Sequence, residues 1–348
     1  MTEPTGTAEP AKAPFRLGFF TRLVDDAPPG EVYARALETF ELAEELGYDA
    51  GWVAQHHAHQ EGGLPSPLVF LAAAAARTKR LKLITGIITL PLEDPLRLAE
   101  DAAVLDALSG GRLELGFGTG GNRIAFGMFG RDVEKRHEQY DRALAVVREA
   151  LGGKEVVPGG PPMWPPAPRL TCSLWEATFH VEGAVRAAQN GSGLLLARTA
   201  QRPPAAHGQP RPHLGETQWP VVEAYLTSWA SHDTRPRIGL SRSVYVAPTR
   251  AEAIADAERG MRRHARVVAQ REGLAADMTT EELLFRSDVH IGTPEEVAAS
   301  IRADKLLAHA TDLMVQVHPV DPPHEKTLRS LRLMATEVAP ALGWRPAQ

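Results

Sequence analysis

The stretch GFGTGG, Gly116 to Gly121, closes an apolar run and sets its glycines at the GxGxxG spacing. Two folds compete for that spacing. In a dinucleotide-binding unit the glycines lead from a strand into a helix whose N-terminus holds the pyrophosphate, and an acidic side chain follows about 20 residues on, at the end of a second strand. Here the glycines are followed by NRIAFGMFGRD, which has two more glycines and no caps and makes a poor helix start. About 20 residues on stand Arg136, His137 and Glu138, inside the strongly helical EKRHEQYDRAL and not at a strand end. The dinucleotide reading fails. The glycines are left as a strand end that permits close approach, towards something lying across it, for which a flat ring system is one candidate.

Working outward, short apolar segments alternate with longer ones of helical period, the signature of βα units on a parallel sheet. The strands read FRLGFFTRL, AGWVAQHH, LKLITGIITL, RLELGFG, LTCSLWEA, GLLLA, GLSRSVYVA and DLMVQVHPV. Each is followed by a helix, from EVYARALETFELAEELG to HEKTLRSLRLMATEVA, and DVHIG is a further short strand-sized piece. Eight such units close into an α/β fold, the (β/α)8 TIM barrel, with catalytic groups at the strand C-termini; an open doubly wound sheet is the alternative. Long Pro-rich loops, VVPGGPPMWPPAPR and RTAQRPPAAHGQPRPH, are inserted after strands four and six, and such loops are often functional. Trp164, Trp175 and Trp219 could line a pocket near them.

The 348 residues are 43% hydrophobic and 23% charged, with a formal net charge of -5. That balance argues against nucleic-acid and membrane-surface partners, which need clustered Lys and Arg. No apolar run reaches the roughly 20 residues of a membrane span. Residues 1–14, polar and Pro-rich, read as a flexible tail and not a signal peptide, ahead of a single barrel domain over residues 15–348. The lone cysteine, Cys172, cannot form an intrachain disulfide; in its apolar run it reads as a buried structural thiol, in keeping with a cytoplasmic location.

At the end of strand two, QHHAHQEGG holds His56, His57 and His59. Strand residues alternate faces, so only one of His56 and His57 aims into the barrel mouth. Three chemistries remain open: solvated loop histidines, a metal site using the HxH pair with His180, His318 and Asp321, or acid/base work near neutrality. The metal reading is weakened because barrel hydrolases of that kind carry HxH on strand one, where LGFFTRL has no histidine.

The run WVAQHHAHQEGGLPSPLVFLAAAAARTKRLKLITGIITLPLEDPLRLAEDAAVLDALSGGRLELGFGTG, with VYVAPTRAEA and IGTPEEV further on, resembles the flavin-dependent luciferase-like monooxygenases, over essentially Phe15 to Ala341. The resemblance implies a barrel that takes reduced FMN, or less often deazaflavin F420. It also implies a C4a-hydroperoxide that oxidises a small organic substrate, and a separate flavin reductase as partner. It places His56 near the reacting oxygen with His57 in support, and Thr85, Gly86 and Ile87 under the ring system, where the family often has a non-prolyl cis peptide. Thr119, Gly120 and Gly121 become neighbours of the cofactor, and Thr178, Phe179, His180, Val181, Glu182 and Gly183 its phosphate end. Thr119 stands where luciferase carries a phosphate-binding arginine, so Arg198 and Arg202 are expected to supply that charge. His137 and Tyr140 lie one helical turn from the mouth. The family is often dimeric, through helices two and three. A flavin-binding barrel without turnover is the alternative within the same fold.

Overall fold

The structure, a computed structural model, describes residues 15–58, 62–202, 213–229, 234–272 and 278–346, without the side chains of 267–272. Eight parallel strands form the barrel: β1 (Arg16–Thr21), β2 (Ala50–Val53), β3 (Lys82–Thr85), β4 (Leu113–Gly118), β5 (Leu174–Ala177), β6 (Gly193–Leu196), β7 (Ile238–Val246) and β8 (Asp312–Gln316). Closure is explicit in the register. β8 pairs with β1 through Arg16 and Asp312, and with β7 through Gly239 and Asp312, so no open edge remains and the doubly wound alternative falls. All eight strands read from the sequence are these strands. The DVHIG segment gives a short outer strand, Val289–Gly292, that extends the sheet beside the end of β7 without entering the barrel.

Large side chains fill the interior where neighbouring strands are small. Trp52 on β2 and Trp175 on β5 meet edge to face at 5.6 Å. A Cβ on Gly18 would come within 2.7 Å of the Trp52 indole nitrogen, and Gly193 lies against the Trp175 ring. Below them the floor is ionic: Arg16 donates to Asp312 at 2.7 Å and to Glu114 at 2.7 Å, while the Trp175 indole donates to Glu114 at 2.7 Å. Burial works against the Glu114 carboxylate, but Arg16, Trp175 and Arg237 outweigh it and hold its pKa near about 2.

The glycines of GFGTGG serve the neighbouring chain. A Cβ on Gly116 would collide with the Thr85 carbonyl oxygen, one on Gly118 would meet the Ile87 Cδ1 at 2.9 Å, and Gly120, at φ +65°, lies against Thr89. The Thr85 hydroxyl accepts from the Gly116 amide at 2.8 Å and donates to its carbonyl at 3.1 Å, which stitches β3 to β4. The expected poor helix start also needs correction. Asn122 caps a six-residue helix, Arg123–Met128, by accepting from the amides of Ile124 and Ala125.

The first Pro-rich stretch follows not β4 itself but the helix Arg136–Leu151 that returns from it, and leads through Pro168–Cys172 into β5. It therefore lies at the N-terminal end of the strands, away from the mouth, and its exposed Trp164 cannot line the pocket expected there. Of the second loop, residues 203–212 lie outside the described ones. Cys172 is exposed, not buried.

Gly116→Ala forces either a main-chain shift or an overpacked seam, and is expected to cost about 1 to 3 kcal/mol in urea unfolding. Gly121→Ala, where a Cβ meets nothing within 4 Å, leaves the midpoint unchanged.

Candidate active site at the barrel mouth

Successive strand residues alternate between inside and outside, and the contacts above fix the phase. The last inward positions of β2 to β6 are then Ala54, Gly86, Gly118, Ala177 and Ala197. All are small, and Gly86, Ala177 and Ala197 are half-exposed where the interior below is sealed. Phe20 borders this cup from β1, since a Cβ on Gly86 would come within 2.7 Å of its ring. The peptide Gly86–Ile87 is cis, at the position the resemblance implies.

Gln55, which the sequence reading passed over, fixes the rim. Its side-chain oxygen accepts from the Thr89 amide at 2.7 Å, its amide nitrogen donates to Glu93 at 2.6 Å and Pro65 at 3.2 Å, and its own backbone N–H meets the Ile87 carbonyl at 3.3 Å. The end of β2 is thereby tied to the segment beyond β3. A polar glutamine directly after the apolar run of a strand, in AQHH, was the available signal.

His56 and His57, in the segment beyond the end of β2, have different neighbours. The Arg22 guanidinium, just past β1, lies 3.2 Å from His56 Nε2. Arginine only donates, so Nε2 accepts and the ring carries its proton on Nδ1. Gly62, at φ +115°, leaves room for that ring, since a Cβ there would reach within 2.8 Å of Nδ1. His57 packs edge to face on Phe129 at 4.8 Å, and burial, against the opposing charge of Glu93, lowers its pKa. His59 lies outside the described residues.

Thr119, Gly120 and Gly121 occupy the open loop after β4. At the end of β5 the Thr178 hydroxyl accepts from the His180 amide at 3.0 Å, and Gly183 packs against Thr178. The helix Val181–Gln189 starts there with no side-chain cap from His180, beside the exposed Phe179 and Val181 and with Glu182 in its first turn. Backbone N–H groups and the macrodipole favour an anion at such an end.

Of the two arginines expected to serve it, one is already paired. Arg202 is committed to Asp288, at 2.8 and 3.0 Å. Arg198 sits among charges from β1 and β8: burial, then the nearby Arg22 cation, lower its pKa to about 10, against Asp321 and Asp288. Tyr140 is away from the mouth. Its hydroxyl donates to Glu176 at 3.1 Å, a carboxylate on the outer face of β5 that also takes Arg186 and Asn190. His137 is exposed on its helix, Trp175 belongs to the interior, and Trp219 lies beside His309.

A second histidine cluster closes the β8 side. His318 Nδ1 lies 2.8 Å from Asp321, Arg263 donates to Asp321 at 2.7 Å, and the His264 ring stands 5.7 Å from that of His318. Burial drives His264 down to about 3 and His318 down to about 4, the latter against Asp321. Among the described residues no group of three or more His, Cys, Asp or Glu side chains could hold a metal ion, and no helix is long and apolar enough to cross a membrane.

The family model for luciferase-like monooxygenases matches residues 15–309 of this eight-stranded barrel. The chain belongs to that family. The chain is 31% identical over 255 residues to 4-hydroxyprotoasukamycin monooxygenase of Streptomyces nodosus subsp. asukaensis, covering 68% of this chain and 65% of that protein. It is 23% identical over 248 residues to the oxygenase component of the flavin-dependent trigonelline monooxygenase of Acinetobacter baylyi, covering 67% and 64%. The chain thus spans just under two thirds of the length of these curated relatives. The crystal structure of monooxygenase RslO1 from Streptomyces bottropensis superposes with a TM-score of 0.77 at 26% identity, covering 94% of this chain and all of that one.

His264 and His318 stay neutral in the folded protein but take up protons near about pH 6.5 once unfolded. Their contribution is complete above that value and is lost as the pH falls towards about 4. The urea midpoint is expected to drop between about pH 7.5 and about pH 5, and to drop less in the His264→Gln/His318→Gln variant.

Proposed function

We propose that this chain is the oxygenating component of a two-component flavin-dependent monooxygenase, which takes reduced FMN from a separate reductase and oxidises a small organic substrate. The observation that carries the reading is the cup of Ala54, Gly86, Gly118, Ala177 and Ala197, a floor without side-chain bulk above a packed interior. Such a floor suits a planar ring system. When bound, reduced FMN supplies the electrons that activate dioxygen.

The rest is work for this chain's own residues. Thr85, Gly86 and Ile87 offer a flat peptide surface for the rings. The uncapped amides of Val181, Glu182 and Gly183 are the place for the phosphate. His56 holds a proton at Nδ1 while Arg22 fixes its Nε2, so the pair has a defined tautomer and can serve a reacting oxygen without first sorting protons. His57, kept neutral by burial against Phe129, walls the rim. A relative named as an oxygenase component supports the separate reductase. Dimerisation is supported by Val69 on helix Pro67–Arg77 and by Val104 and Leu108 on helix Pro95–Ser109, which expose 73%, 46% and 71% of their surface.

Anaerobic calorimetry is expected to register reduced FMN, with Ala177→Leu weakening it about tenfold, near 1.4 kcal/mol, at unchanged melting temperature. F420 bound in place of FMN overturns the cofactor assignment, and binding of neither overturns the flavin reading. In size-exclusion chromatography with light scattering, Val69→Glu/Leu108→Glu converts a dimer to a monomer; a wild type already monomeric excludes that face as an interface.

A further inference from the structure

Arg198 follows β6 at the mouth, and its Nη1 is sealed from solvent with no hydrogen-bond partner among the described residues. A guanidinium keeps its charge at any working pH, and a buried charge without a counter-ion is costly. The two acids nearest in charge cannot supply one. Asp321 is taken by His318 at 2.8 Å and Arg263 at 2.7 Å. Asp288 is taken by both nitrogens of the Arg202 fork. The remaining strong neighbour, Arg22, is a cation and repels it, and that repulsion with burial is what brings Arg198 down to about 10.

We infer that Arg198 is the anchor of an anion subsite on the β1–β8 side of the mouth, and that the organic substrate carries a carboxylate or an equally acidic group which docks there. This inference rests on the monooxygenase reading for what happens after docking, though not for the docking itself. A carboxylate has two acceptor oxygens and matches the planar guanidinium fork, giving charge-assisted bonds about twice as strong as neutral ones. It would also relieve the repulsion between Arg198 and Arg22. That places the acid group near the Arg22–His56 pair, so one end of the substrate is fixed by charge while the other faces the cup.

The cofactor's own phosphate is the other anion that could claim Arg198, and the surroundings speak against it. The charges that Arg198 senses sit on Arg22, Asp321 and Asp288, which follow β1, β8 and the helix Thr280–Arg286. Neither His180 nor Glu182, the titratable side chains at the amide-rich end of β5, is among them.

The test compares benzoate and octanoate with benzamide and octanamide on the full chain, by melting temperature and calorimetry, with and without FMN. Wild type is expected to bind at least one carboxylate about tenfold more tightly than its amide; Arg198→Gln removes the difference and Arg198→Lys keeps part of it. In parallel, the ratio of FMN to riboflavin affinity is expected to be the same in Arg198→Gln as in wild type. Amides bound as tightly as carboxylates, or no carboxylate bound, overturn the anion subsite. A selective loss of FMN over riboflavin in Arg198→Gln assigns the arginine to the phosphate and overturns it equally. Carboxylate preference with no flavin binding leaves the subsite standing and sinks only the flavin reading.

Discussion

One guanidinium holds the barrel shut. Arg16 starts β1 and reaches both Asp312 on the adjoining β8 and Glu114 on β4, across the floor. The seam between the first and last strands is thus secured from inside by charge as well as by the backbone ladder. Arg237 approaches Glu114 at 3.7 Å and lies over the Trp175 ring at 4.4 Å, so two half-buried cations cover two buried carboxylates. Removing Arg16 would leave the buried carboxylates of Glu114 and Asp312 short of a cation, which is the strongly destabilising case for buried ions.

The two ends of the same strands then differ in character. At the floor every charge has an opposite and the large Trp52 and Trp175 rings fill the volume. At the mouth the inward positions shrink to Ala and Gly, and Arg198 stands on one side with Asp321 and Asp288, the acids it senses, engaged by His318, Arg263 and Arg202. The floor supplies rigidity, and the mouth is left with volume and charge to offer. Gln55 and the Thr85–Gly116 stitch carry that rigidity up to the rim, because they bind β2, β3 and β4 to one another where the strand ladders give out.

Much of this was legible in the sequence, and the rest was hidden for definable reasons. Strand identity follows from short apolar runs between helical segments, and all eight barrel strands could be read that way, whereas the cis peptide at Gly86–Ile87 was implied only by the family resemblance. The meaning of the glycines was only half visible. Close approach is written in Gly116, Gly118 and Gly120, but their partners Thr85, Ile87 and Thr89 lie about 30 residues away, and no local pattern names them. The Pro-rich stretch before β5 was assigned to the mouth, although a parallel βα unit always returns its helix-to-strand loop to the opposite end. Arg198 and Arg202 look alike in sequence. Only the pairing of Arg202 with Asp288 separates it from Arg198, whose Nη1 has no partner among the described residues.

The Trp52–Trp175 pair has a use beyond packing. Two indoles in edge-to-face contact, one of them hydrogen-bonded to a buried carboxylate, sit directly beneath the cup and within the same rigid shell. They form a chromophore fixed in distance and orientation to whatever the cup holds. Their emission is therefore an internal gauge of occupancy, carried by the fold itself and needing no attached dye.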